Sequence, residues 1–150
     1  MAITYGIDFP FRDSLDGKFL QMTGTPEKEI RADLIHLLLT KKGSRYFLPD
    51  FGTRLYQYIF EPNDSTTFGL IEGEIRDSVS KYIPNLTITS IDVTSAEDDP
   101  NMANSVNENE DARLFRVSDH SNNPYTAVVK ISYTVNAGAF STSDFIILNI

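Results

Sequence analysis

At Pro84 the apolar period of this chain changes from helical to alternating, and that change limits what it can fold into. Phe68, Ile71, Ile75, Val79 and Tyr82 fall on one helical stripe that stops at Ile83-Pro84. From Leu86 onward the period is two, as in a strand. Leu86 and Ile88 share one phase, Ile91 and Val93 the other, which predicts a bulge near Thr89-Ser90. Tyr125, Ala127, Val129, Ile131, Tyr133 and Val135 form the longest alternating run, and Asn136 to Ala139 turn it. The run from Phe140 to Ile150 then closes the chain, with Phe145 and Ile147 opposite Ile146 and Leu148. Helices first and antiparallel strands after predict an α+β fold. We expect two main helices plus a short helix, packed on a small antiparallel sheet of three to four strands. At 150 residues and 41% hydrophobic content the chain can bury one core, so residues 1–150 are expected to form a single domain. A sheet of this size keeps two edges, and the C-terminal strand is a ready platform for β-augmentation.

The first helix is predicted over about residues 26–41. Thr25 can cap it, Pro26 suits its first position, and Glu27 and Glu29 suit the positive end of its dipole. Ile30, Leu34, Leu37 and Leu38 make its apolar stripe, and Gly43 is read as the residue just past its end. Residues 1–24 read as an extended N-terminal arm, with Ile3, Tyr5, Ile7, Phe9 and Phe11 at period two. Residues 95–124 read as an acidic loop insertion, interrupted by a short strand-like piece, Arg113 to Val117.

Between the two helices lies an aromatic, turn-rich elbow, Thr40 to Glu61. Gly43, Pro49 and Gly52 punctuate it, and Lys41, Lys42, Arg45 and Arg54 face only Asp50 and Glu61 in charge. Thr53 is read as the cap of a short helix with Leu55, Tyr58 and Ile59 on one side. Tyr46, Phe47, Phe51, Tyr56 and Phe60 are expected to close a small core. Arg45 and Glu61 are expected to pin the joint, with Glu61 as a cap or as an ion-pair partner of Arg45 or Arg54.

Composition excludes several function classes. The formal charge of −8 comes largely from residues 95–111, which hold six acids and no base, so it does not imply a basic partner. A nucleic-acid footprint needs a basic face, and none is present, so no nucleic acid is expected as a partner. No apolar run approaches the length of a membrane span, and MAITYGIDFPF has no signal-peptide character. The absence of cysteine fits a reducing compartment and rules out disulfides and thiolate metal sites. No catalytic motif and no metal-ligand spacing stands out, so no catalytic residue, metal or cofactor is expected. His36, on the flank of the first helix, is read as a packing residue. Asp50 and Glu61 can be cast as a glycosidase pair, which needs carboxylates about 5–9 Å apart. A structural role suits them better.

The elbow resembles the signature of the small baseplate wedge proteins of contractile phage tails, which act as tail sheath initiators and are related to the type VI secretion baseplate subunit. The residues carrying the resemblance are Leu37 to Thr40, Lys42-Gly43-Ser44-Arg45, Phe47, Pro49-Asp50-Phe51-Gly52 and Phe60-Glu61. The match covers most of 26–94, and 125–150 by pattern. Many members carry Glu-Pro-Arg at the end of the second helix to grip the helical core bundle of the wedge. This chain has Ile83-Pro84-Asn85. The resemblance implies a virion structural protein of the tail baseplate, assembled in the host cytoplasm, with six copies per baseplate. Its implied partners are other baseplate wedge proteins, the tail sheath protein and the tail tube or hub. It implies a wedge-core contact through Arg45, Asp50, Glu61, Ile83, Pro84 and Asn85. It also implies a sheath-binding strand containing Phe140, Phe145, Ile146, Ile147 and Leu148, to which sheath arms add as strands. Relatives of the fold also include anti-adaptors of regulated proteolysis, and the family has been labelled lysozyme-like; those are the alternatives.

Overall fold

The computed structural model describes residues 5–9, 11–14, 17, 19–95, 127–137 and 140–149. The expected strand at Arg113 to Val117 and nearly all of the acidic insertion lie outside the described residues. The described elements run β1 (Gly6–Ile7), β2 (Met22–Thr23), α1 (Pro26–Leu39), α2 (Leu55–Tyr58), α3 (Ser65–Tyr82), β3 (Leu86–Ser95), β4 (Ala127–Ala137) and β5 (Phe140–Asn149). This is an α+β fold, with the helices on one face of an antiparallel sheet of order β3-β4-β5.

Local chemistry sets the helix boundaries. The Thr25 hydroxyl accepts from the Lys28 N–H, and Pro26 opens α1. The Asp64 carboxylate accepts from the Thr67 N–H at 2.8 Å and caps α3; those bonds hold its pKa below the usual value. The end of α1 differs from expectation. The helix stops at Leu39, because Thr40 turns extended at φ −78°, ψ 121°. Gly43 lies further on, in the following loop, where its φ of 88° is used. Glu72 and Arg76 on α3 form an i, i+4 ion pair at 2.9 Å.

The core lies between the helices and the inner face of the sheet. Leu34 and Leu37 from α1, Ile71, Ile75 and Val79 from α3, and Val129, Ile131, Tyr133 and Val135 from β4 are its most buried members. Each such side chain contributes roughly 1.5–3 kcal/mol by leaving water. On β3 the register shifts between Ile88 and Ser90. The extra residue puts Leu86, Ile88, Ile91 and Val93 on one face despite their change of phase, as the sequence requires. On β5, Ile146 and Leu148 enter the core, while Phe145 lies on the opposite face.

The described part of the N-terminal arm folds back on itself. β1 and β2 pair antiparallel, Gly6 opposite Thr23. The Gly6 N–H donates to the Thr23 hydroxyl, which donates to Glu29 of α1, both at 3.0 Å. Phe9 stacks on His36 with centroids 5.2 Å apart. So these residues lie on their own domain.

Candidate functional site

Main-chain hydrogen bonds close the elbow. Lys41 and Thr53 form an isolated parallel bridge, with Thr53 N–H to Thr40 O and Lys42 N–H to Thr53 O, each 2.9 Å. Gly43 N–H reaches Pro49 O at 2.8 Å and Phe51 N–H reaches Leu48 O at 3.0 Å. Leu48 sits at φ 64°, which L-residues seldom adopt, and Gly52 at φ 107°. A Cβ at Gly52 would fall on the Thr40 carbonyl, so only glycine fits where the two strands of the buckle cross.

Thr53 does not cap α2, whose N-cap residue is Arg54 and which has no side-chain capping bond. Thr53 is 1% exposed, and its hydroxyl donates to Leu38 O at 2.8 Å. It thereby satisfies one of the carbonyls that the end of α1 leaves open. The Ser78 hydroxyl, on α3, donates to Gly52 O at 3.4 Å, and the Arg54 N–H donates to the Glu74 carboxylate at 3.1 Å. The elbow is thus tied to both main helices.

The predicted polar pins are not formed. Among the described residues Arg45 makes no ion pair with Asp50 or Glu61; its guanidinium lies over the Phe51 ring at 4.2 Å. Phe51 in turn meets Tyr82, at the end of α3, edge-on at 5.1 Å, and His36 at 5.7 Å. Burial and the nearby Arg45 charge keep the His36 pKa below its usual value. Asp50 helps raise the Lys81 pKa, after the larger effect of Tyr82, which places it at the same corner. Arg45, Asp50 and the last turn of α3 therefore converge. Glu61 does not join them: it is exposed and lies by Tyr58, whose pKa is raised mainly by burial and then by Glu74.

The turn Ile83-Pro84-Asn85 divides its roles. Ile83 is 8% exposed and belongs to the core, so its side chain is not a surface grip. Pro84 and Asn85 are exposed, and Asn85 O accepts from the Asn136 N–H at 3.0 Å. The expectation that the elbow aromatics close a core holds in part: Phe51 packs against the core, as does Tyr58 of α2, and Tyr56 is half-buried. Tyr46, Phe47 and Phe60 are 96%, 86% and 90% exposed, and Leu48 and Ile59 are exposed beside them in sequence. A loop tip held by Gly43 and Pro49 has no interior to offer; that spacing was the available signal.

The sheet supplies the second candidate surface. Because Asn136 N–H bonds Asn85 O, even-numbered residues of β4 direct their main-chain groups toward β3. Odd-numbered ones face β5, where Val135 opposes Thr142, Tyr133 opposes Asp144 and Ile131 opposes Ile146. So Ser143, Phe145 and Ile147 aim their main-chain groups at the edge of β5 away from β4, which no strand among the described residues covers. Grooves flanking α3 and β3 are lined by residues such as Arg76, Leu86 and Ile88, or Phe68, Ile91 and Asp92; neither involves Asp50 or Glu61. Among the described residues no cluster of three or more His, Asp or Glu could hold a metal. No described helix is long and apolar enough to cross a membrane.

The family model for baseplate wedge protein gp25 matches residues 25–114, more than half of the chain. The chain belongs to the baseplate wedge protein gp25 family. Baseplate wedge protein gp25 of Enterobacteria phage T4 is 32% identical over 72 residues, 48% of this chain and 54% of that protein. The chain therefore matches only about half the length of that relative. A protein from Geobacter sulfurreducens named a candidate tail lysozyme superposes with a TM-score of 0.57 at 19% identity, over 87% of this chain and 96% of that one. A chain of the anti-feeding prophage baseplate superposes with a TM-score of 0.54 at 13% identity, over 95% of this chain and 82% of its own. At such identities the likeness is one of fold. For this gp25-family member, the matched segment includes the whole elbow.

Proposed function

We propose that this gp25-family chain is a structural component of a contractile tail baseplate. It joins the wedge core to the tail sheath and starts sheath polymerisation by accepting strands on its C-terminal sheet. The observation that carries this reading is the β5 edge, whose Ser143, Phe145 and Ile147 main-chain groups face outward while Ile146 and Leu148 anchor the strand in the core. Main-chain pairing at such an edge is geometrically demanding and tolerant of sequence. A ring of six copies presents six edges, so the ring gains from multivalency. On this reading the wedge core is held at the corner of Arg45, Asp50, Pro84 and Asn85, and by the exposed Tyr46 and Phe47. Glu61, away from that corner, is the weaker member of the set. The work is mechanical, not enzymatic, and its place is the virion tail.

Ser143→Pro tests it. Proline there removes an outward N–H and leaves the β4–β5 ladder intact, a position proline tolerates. Folded variant chains incorporated into baseplates should lose sheath nucleation. Normal sheath growth on them would overturn strand addition at β5.

A further inference from the structure

The β5 edge is not uniformly open. The Phe145 N–H, at mid-strand and facing outward, already donates to the Asp144 carboxylate at 2.8 Å. The other oxygen of that carboxylate accepts from Arg31 of α1 at 2.6 Å and from the Tyr133 hydroxyl at 3.2 Å. Arg31 and Tyr133 therefore fix Asp144 against the edge from the helix side. Their side chains come from 113 and 11 residues away, so the arrangement exists only in the folded domain. The Arg31–Asp144 pair is partly shielded, at 19% and 39% side-chain exposure. No partner for the Ser143 or Ile147 N–H is present among the described residues.

We infer that Asp144, held by Arg31, is a latch on the β5 edge: it withholds the Phe145 N–H until an incoming strand displaces it. This rests on the strand-addition reading and adds its regulation. Natural sheets guard exposed edges with charged groups, because an unguarded edge pairs with any strand, including a second copy of itself. Here the guard is reversible. An incoming strand's carbonyl takes the place of one carboxylate oxygen on Phe145 N–H, while Asp144 keeps Arg31 and Tyr133 through the other. The exchange swaps a charge-assisted hydrogen bond for a neutral one, which favours a partner that also engages Ser143 and Ile147 over a chance contact. Pairing thus begins at the open amides and passes through Phe145 last.

Amide hydrogen exchange on the isolated folded chain reads the latch with no partner present. After correction for intrinsic rates, Phe145 should exchange at least about tenfold more slowly than Ser143 and Ile147, and Asp144→Ala should abolish the difference. Arg31→Met, which frees the carboxylate without removing it, should give an intermediate loss. Sedimentation should show stronger self-association of Asp144→Ala than of the parent chain. Equal exchange at the three amides of the parent chain overturns the latch, and so does unchanged self-association of a folded Asp144→Ala. Sheath nucleation with Ser143→Pro decides the underlying strand-addition reading separately, because it leaves Asp144 and Arg31 untouched.

Discussion

The elbow and the sheet edge use their main chains in opposite ways. At the elbow, Lys42, Gly43, Phe51 and Thr53 all spend their N–H groups inside the buckle. What the buckle leaves for a partner is largely side chains, and the rings of Tyr46, Phe47 and Phe60 are the most exposed large ones among them. At β5 the large side chains Ile146 and Leu148 are spent in the core, and what remains is main chain. One surface can therefore discriminate between partners by shape and chemistry, and the other can accept any strand of the right geometry. On the proposed reading, a connector between a unique wedge core and a polymer of identical sheath subunits has a use for both.

Substitutions can break this comparison. The largest effect belongs to Gly52→Ala, where a Cβ meets the Thr40 carbonyl at a φ of 107°. It should cost about 3 kcal/mol or more, seen as a fall in Tm of roughly 6–12 °C. An unchanged Tm would mean that the buckle is not closed as described. Thr53→Val comes next: it keeps the shape but leaves Leu38 O without the Thr53 hydroxyl, and should cost about 1–3 kcal/mol in denaturant unfolding. Tyr46→Ser with Phe47→Ser should leave stability within about 0.5 kcal/mol, since both rings are exposed, yet weaken pull-down of the other wedge proteins. A large stability loss would move these rings from the surface into the core. The smallest effect is a pH dependence. The His36 pKa is lowered in the fold, so between that value and the ordinary value of about 6.5 the unfolded chain binds more protons. Its contribution is full above that ordinary value and fades as pH falls through it. Tm should therefore drop more between pH 7.5 and 5.5 in the parent chain than in His36→Phe.

The two regions also differ in how far the sequence reveals them. The cap Thr25, the stripe on α3 and the bulge before Ser90 were legible because each depends on residues a few positions apart. The elbow was legible as a motif for the same reason, since Gly43 and Gly52 mark its positive φ values. Its internal chemistry was not. Thr53 looked like a cap because it precedes a helix, but its hydroxyl is claimed by Leu38, fifteen residues back. Arg45 looked like half of an ion pair, but a ring brought alongside by the turn claims it. Ile83 looked available because it stands where the family pattern carries a charged residue, yet it fills the core. The Arg31–Asp144 pair left no trace at all, because nothing local links residues 113 apart.

Strand addition at β5 is the claim on which the rest depends. A reconstruction of the baseplate with its first sheath ring reads it directly. The account predicts a fourth strand beside β5, hydrogen-bonded to the main chains of Ser143, Phe145 and Ile147, with Asp144 turned away from Phe145 and still on Arg31. An ordered first sheath ring beside a β5 edge that carries no added strand would contradict it.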